Sequence, residues 1–270
     1  MNKSKLNFLQ QIKYAITKPM KYFQLTKASG YRVTGFVFLF VLITSLFTII
    51  PKSFSLVGPN GYINTIINDI PAFELSNGQL NMEKPYKYEN DILYISVDTN
   101  VDSFSSKDMD ATNFYTILIS KSNIVYDFPG QTFNIKFSDI EKFHFNNGDL
   151  KNLKPLLYIV IILAGILRYL FNVGIYFLTA LLFSLVGIVI SVMEHSNLKY
   201  SIIFKTAIYA KVTTNIIGAL LSILPIYIPV LFTMGLFILI NCAYVVYGTL
   251  SHNSEEARED ASLNSPSQMY

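Results

Sequence analysis

The chain has 270 residues, 51% hydrophobic and only 14% charged, with a formal net charge of +3. A soluble domain carries about 25% charged residues; the deficit here is gathered into long apolar runs, which excludes an ordinary soluble domain. The single cysteine, Cys242, excludes an intramolecular disulfide and reads as a small residue in an apolar stretch.

Residues 1–32 carry Lys3, Lys5, Lys13, Lys18, Lys21, Lys27 and Arg32, and no acid. Phe8, Leu9, Ile12 and Ile16 fall on one helical face. The spacing predicts a basic amphipathic helix that ends at Lys18-Pro19, because a residue before proline avoids the helical region. Such a helix suits the anionic inner leaflet of a lipid bilayer; the alternative is packing on the protein's own cytoplasmic side. Residues 33–51 are the first expected transmembrane helix. Its apolar core, Val33 to Ile50, reaches about 27 Å at 1.5 Å per residue, just enough for the hydrocarbon core. No small-x-small cleavage site follows, so it reads as an uncleaved anchor.

Residues 52–154 change character, with nine lysines against thirteen acids, a balance of −4. Ile63, Ile66, Ile67 and Ile70 make a narrow helical stripe. "DILYISVD", "YTILIS", "NIVYDF" and "QTFNIKF" are short β-branched and aromatic runs punctuated by "SNGQ", "DFPGQ" and "NNGD". This pattern predicts a small, mostly β domain.

Residues 155–193 pose the main topological question. Leu156 to Met193 is apolar apart from Arg168, and as helix it would reach about 57 Å, nearly twice the hydrocarbon thickness. It is either two spans joined at "RYLFN" or one long helix that crosses once and protrudes. The acid-free N-terminal segment stays inside by the positive-inside rule, which makes the β domain extracytoplasmic. One crossing also keeps Lys199 and Lys205 inside. The expected fold is therefore an α-helical integral membrane protein of four spans, with five as the alternative, carrying an inserted β domain. Arg168, Tyr169 and Asn172 then mark the outer interface. Leu157 and Ile161 lie in an apolar stalk beyond it, with the isoleucine stripe as expected cover and a partner protein as the alternative. Residues 194–205 are the expected cytoplasmic loop. With Lys13, Lys18, Lys21, Lys27 and Arg32, Lys199 and Lys205 complete the inner-leaflet basic set. Residues 206–224 are the third expected span, "PIYIP" a turn, 230–250 the fourth span and 251–270 a disordered polar tail.

His144, His195 and His252 fall in separate segments, and no metal-ligand, phosphate-loop or nucleophile motif appears. "DTNVD" (Asp98, Asn100, Asp102) starts like a calcium loop, but Ser103 replaces the required glycine and Met109 the final glutamate. No catalytic residue, metal site or cofactor is expected, and the basic residues orient the chain in the membrane rather than bind nucleic acid. The polar residues within or bordering spans are Thr44, Asn172, Asn215, Asn241, Arg168, Glu194 and Lys211. Asn215 and Asn241 read as interhelical hydrogen-bonders, with a transport path as the alternative.

Lys18, Pro19 and Tyr22 form a "KP-x-x-Y"-like turn before the first span. "IPAFELSNGQL" (Ile70 to Leu80), "ILYISVDT" (Ile92 to Thr99) and the late "LKYSIIFKTAIYAKVTTNII" follow. In this order they resemble the bacterial family of domain of unknown function 1189, some members of which are labelled maltodextrin utilisation protein. That family is similar to the wider Yip-type membrane family, although Thr213 and Thr214 stand where a proline is common in Yip-type relatives. The resemblance covers nearly the whole chain and implies a bacterial cytoplasmic-membrane location with a link to sugar uptake. The expected function is non-enzymatic: an accessory, scaffold or sensor beside a membrane transporter, with a small-solute transporter or channel subunit as the alternative.

Overall fold

In the computed structural model the described residues are 6–90, 93–109, 115–128, 131–196, 198–224 and 228–264. Lys3, Lys5, residues 225–227 of the expected turn and the last six residues lie outside them. The elements in chain order are α1 (Phe8–Thr17), α2 (Tyr22–Thr26), α3 (Gly30–Val57), α4 (Tyr62–Asp69), β1 (Phe73–Ser76), β2 (Gln79–Met82), β3 (Tyr86–Glu89) and β4 (Leu93–Asp98). They continue with β5 (Tyr115–Ser120), β6 (Asn123–Phe128), β7 (Gln131–Lys136), β8 (Phe145–Asn146), α5 (Asn147–Asn152), α6 (Lys154–Met193), α7 (Tyr200–Ala210), α8 (Val212–Leu221) and α9 (Val230–Asn264). The chain divides into a helical unit, Met1–Pro51 with Ala164–Tyr270, and a second unit, Lys52–Leu163.

In the helical unit, α1 starts on a capping box: Asn7 Oδ1 accepts from Gln10 N at 2.8 Å and Asn7 N donates to Gln10 Oε1 at 2.9 Å. It stops before Lys18-Pro19. The helix packs on its own unit through Gln11 and Ala15, while Leu9, expected on the apolar face, is 72% exposed. On α3 the buried positions are Val33, Phe36, Val37, Phe40, Val41 and Ser45, and on α6 they are Val173, Tyr176, Ala180, Ser184, Gly187 and Ser191. The α6 set steps by three and four residues, and the α3 set falls at i, i+3, i+4, i+7 and i+8, one face of each helix. The opposite faces carry Phe38, Leu42, Leu46, Leu178 and Leu185, each between 38% and 57% exposed. So continuous an apolar surface suits hydrocarbon rather than water.

Residues 155–193 form one helix. α6 runs unbroken for 40 residues, about 60 Å at 1.5 Å per residue. It closes on a Schellman turn, with Ser196 N donating to Ser191 O at 2.9 Å and His195 at φ 51° in the left-handed region. Three stretches are long and apolar enough to cross a membrane: Gly30–Asp69, Asn147–Met193 and Val230–His252. Residues 206–224 are not among them, because that segment is divided at Lys211 into α7 and α8. The expected loop 194–205 shortens accordingly, since α7 begins at Tyr200. Nor does α9 stop at Leu250; it continues through Asn264, so the helix covers most of the segment expected to be disordered.

α2, just before α3, lies beside Ser251 and His252, where the apolar stretch of α9 ends. Phe23 N donates to Ser251 Oγ at 3.3 Å, Thr26 Oγ1 and His252 Nε2 are 3.3 Å apart, and Lys205 Nζ on α7 donates to Thr26 O and Ala28 O at 3.2 and 2.7 Å.

The second unit is β-rich. One sheet has the order β3-β4-β5-β6-β7, antiparallel except for the parallel β4–β5 pair, and a smaller sheet has the order β2-β1-β8. The parallel pair needs a crossover, which the chain between Asp98 and Tyr115 supplies. The β1–β2 hairpin turns on Asn77 and Gly78, at φ 51° and 71°, the positive pair that a tight two-residue hairpin requires. Leu75, Leu80, Val97 and Phe137 form the core. Asn147 ties the unit's entry to its exit, accepting from Phe73 N at 2.6 Å and donating to Pro71 O at 3.0 Å.

Candidate functional site

The helical unit holds a partly open cavity of about 790 Å³ between α3, α6, α8 and α9. Each helix lends it a stripe at helical spacing. α3 gives Thr44, Ser45 and Thr48, α6 gives Asn172, Tyr176 and Thr179, α8 gives Thr214, Asn215 and Gly218, and α9 gives Phe237, Ile238 and Asn241. Lys211, at the α7–α8 break, completes the lining.

Lys211 is the chemical centre of the cavity. It is 5% exposed, and its Nζ donates to Tyr176 O at 2.7 Å and to Thr179 Oγ1. The ammonium also stands 4.0 Å from the centroid of the Tyr176 ring, a cation–π contact. No Asp or Glu lines the cavity among the described residues. Around it, Asn172 Nδ2 donates to Ser45 Oγ at 3.1 Å, linking α6 to α3, and Thr214 Oγ1 donates to Asn241 Oδ1 at 2.8 Å, linking α8 to α9. Asn215 instead turns back on its own chain, donating to Lys211 O at 3.0 Å.

The break that positions Lys211 has a local cause. An unbroken helix would use Ile208 O and Tyr209 O to accept from the residues four further on. Here Tyr176 Oη donates to Ile208 O at 2.8 Å, and Tyr22 Oη donates to Tyr209 O at 3.4 Å and to Ala15 O at 2.6 Å. Side-chain hydroxyls inserted into the backbone ladder interrupt it. The ladder resumes when Asn215 N donates to Lys211 O at 3.0 Å.

The expected site residues are distributed as follows. Asn172, Asn215, Asn241, Thr44 and Lys211 come together around the cavity. Arg168 is exposed on α6 and makes no hydrogen bond or ion pair among the described residues; Tyr169 Oη donates to Phe38 O at 3.2 Å. Of the inner-leaflet set, Lys13, Lys21, Lys27 and Lys199 are exposed, and Lys18 is half-buried over the Tyr14 ring at 4.9 Å. Arg32 donates to Leu6 O at 3.2 Å, and Lys205 caps the carbonyls at the end of α2.

In the second unit Ile67 is buried and Ile63, Ile66 and Ile70 are half-buried. Leu157 and Ile161 are half-buried as well, but their neighbours Leu156, Ile159, Val160, Ile162 and Leu163 are all more than 50% exposed. Most of this apolar run is therefore left exposed by the described residues. Asp98 Oδ1 accepts from Asn100 N at 2.9 Å, an ordinary turn bond at the end of β4. No three His, Cys, Asp or Glu side chains cluster with metal-binding geometry among the described residues.

Ser45, Thr48, Tyr176, Thr179 and Thr214 were not expected as site residues from the sequence. Their signal was spacing: 172, 176 and 179 on one helix, and 211, 214 and 215 on the next, each repeat at helical intervals.

No curated protein and no solved structure matches the chain significantly. A family model described as "Protein of unknown function (DUF1189)" matches residues 9–249, most of the chain. The chain belongs to the DUF1189 family.

Proposed function

We propose that this is a non-enzymatic protein of the bacterial cytoplasmic membrane that crosses the bilayer four times. Its helical unit would hold a ligand within the membrane, and its β-rich unit would be exported to meet a partner. The carrying observation is the polar-lined cavity centred on Lys211 among helices whose outer faces are apolar. A buried ionisable group in such a setting marks a functional site by default.

Two observations support four crossings. α6 is a single helix, and α2, just before α3, lies beside Ser251 and His252 at the end of the apolar stretch of α9, which fits an even number of crossings. The broken pair α7–α8 supplies the fourth. The basic, acid-free N-terminal segment supports a cytoplasmic position for that side. An accessory role beside a carbohydrate transporter belongs to the same proposal and rests on the maltodextrin-utilisation label within the family. The cavity also favours a second reading, a small-solute transporter or channel subunit.

The topology is tested with Ser196→Cys in a Cys242→Ala background. An impermeant maleimide added to intact cells should leave the introduced thiol unmodified until the cells are opened; labelling from outside overturns four crossings. Purification in mild detergent should recover a transporter at fixed stoichiometry. Solute flux in liposomes containing this protein alone would instead favour the second reading.

A further inference from the structure

We propose that the cavity binds a single-tailed amphiphile with an anionic head, the head held by the Lys211 ammonium and the Asn241 amide and the tail lying along the apolar wall of α6 and α9. The proposal rests on the reading of the helical unit as lipid-embedded and names the class of its ligand.

The charge argument comes first. Across residues 1–51 and 164–254 the only acid is Glu194, which is exposed at the end of α6. Lys211 is thus a buried amine with no acid lining its cavity, and an anion there would favour its charged form. A carbonyl, a hydroxyl and an aromatic face offset part of the desolvation of an ammonium; an anion offsets more. The ammonium has three N–H donors. Two serve Tyr176 O and Thr179 Oγ1, and the third meets no acceptor among the described residues.

Asn241 supplies a second donor. Its Oδ1 accepts from Thr214, whereas its Nδ2 donates to no described residue. Two uncommitted donors and no lining carboxylate select an oxyanion and reject a cation.

The rest of the wall selects the tail. Ile175, Leu182, Phe183 and Val186 on α6 and Met234 and Ile238 on α9 all line the cavity. A hydrophilic solute such as a free sugar leaves that wall facing water; an alkyl chain covers it. The volume, about 790 Å³, lies within the roughly 300–1,000 Å³ typical of sites for drug-sized ligands. A carboxylate head and a phosphate head share this chemistry, so a fatty acid and a lysophospholipid are two sources of one ligand class.

The test uses the full-length protein in phosphatidylcholine nanodiscs. Equilibrium binding is measured for oleate, lysophosphatidic acid, neutral monooleoylglycerol and inorganic phosphate. Cys242, the chain's one cysteine, lines the cavity and provides a second readout through its rate of maleimide modification. At least one anionic amphiphile should bind saturably at one site per chain, slow Cys242 modification at least threefold, and bind at least tenfold more weakly to Lys211→Met. Lys211→Arg should retain binding within about threefold. Monooleoylglycerol and inorganic phosphate should each bind at least tenfold more weakly. The tighter of oleate and lysophosphatidic acid identifies the head group. Equal binding of the neutral amphiphile, an unchanged affinity in Lys211→Met, or no saturable binding by the wild type overturns the proposal. If Lys211→Met does not fold, protection of wild-type Cys242 decides: protection by an anionic but not by the neutral amphiphile supports it, and equal protection overturns it. Failure here, with the thiol of the Ser196→Cys variant still protected in intact cells, removes the ligand class and leaves the four-crossing topology standing.

Discussion

Gly248 on α9 is where the helical unit is least able to accept one more carbon. A Cβ built there would lie 2.6 Å from Tyr22 Cδ2 and 2.7 Å from Thr206 Cγ2. Ordinary carbon contacts are about 3.5–4.0 Å, so each approach is about 1 Å too short. Neither neighbour yields cheaply, because both are fully buried and the Tyr22 ring is pinned by its 2.6 Å hydrogen bond to Ala15 O. Overpacking of this kind costs about 1–3 kcal/mol, and two simultaneous overlaps place Gly248→Ala in the upper half of that range. The helical gain of alanine over glycine offsets about 0.8–1.0 kcal/mol. The net expectation is destabilisation by about 1–2 kcal/mol. Gly235, on the same helix, has nothing within 4 Å of its Cβ position, so Gly235→Ala should gain about 0.5–1 kcal/mol. Thermal unfolding of both variants in one detergent, followed by intrinsic tyrosine fluorescence, checks the contrast. Midpoints should move in opposite directions by about 2–4 °C per kcal/mol. Thr206→Ser removes Cγ2 and should recover part of the loss in Gly248→Ala. Equal midpoints for the two alanine variants would refute the packing argument.

Burial, then the charge of nearby Tyr244, pushes the Tyr22 phenol above its ordinary range. The unfolded chain loses this proton near pH 10 while the folded chain keeps it, so this contribution is complete below about pH 10 and lost as pH rises further. Tyr22→Phe should flatten the alkaline limb of a stability–pH profile and cost about 1–3 kcal/mol at neutral pH by leaving Ala15 O without its partner. His195→Gly should stabilise by about 1 kcal/mol, because His195 holds the left-handed position that closes α6; an unchanged midpoint contradicts strain there. In the β-rich unit, Gly78→Ala should destabilise by about 1 kcal/mol or more. Gly78 needs φ 71° and its Cβ would meet Phe137 O at 3.3 Å. Limited proteolysis of the β1–β2 hairpin reads that change.

The β-rich unit was legible because its signals are local. "SNGQ" carries the Asn-Gly pair that the hairpin needs, and the runs "YTILIS" and "NIVYDF" coincide with β5 and β6. The end of α1 at Lys18-Pro19 is local in the same sense. One continuous α6 was only favoured over two spans, because "RYLFN" holds no strong breaker, and the helix does run through it. The division of residues 206–224 was not legible. An apolar window does not record where a distant hydroxyl goes, and Tyr22 lies 187 residues from Tyr209. The extension of α9 past Leu250 was missed because a polar composition was read as disorder. Glu, Ala and Arg are good helix formers, and a helix already nucleated propagates through them at little cost. The cavity's polar residues were recognised singly. What brought Asn172, Asn215 and Asn241 to one place was the order of packing among four helices, which residue spacing within each helix does not encode.

The two phenols that interrupt α7 and α8 also bear on how the protein is made. Inside hydrocarbon, backbone groups without partners cost several kcal/mol each. On the proposed four-crossing topology, the segment from Tyr200 to Leu221 is more stable in the bilayer once Tyr176 and Tyr22 are in place to donate to Ile208 O and Tyr209 O. Both tyrosines leave the ribosome earlier than the carbonyls they serve, so the order of synthesis is the order of assembly. On that topology the break ties insertion of this segment to helices made before it, and chains lacking either hydroxyl should be delayed at that step and exposed longer to membrane proteases.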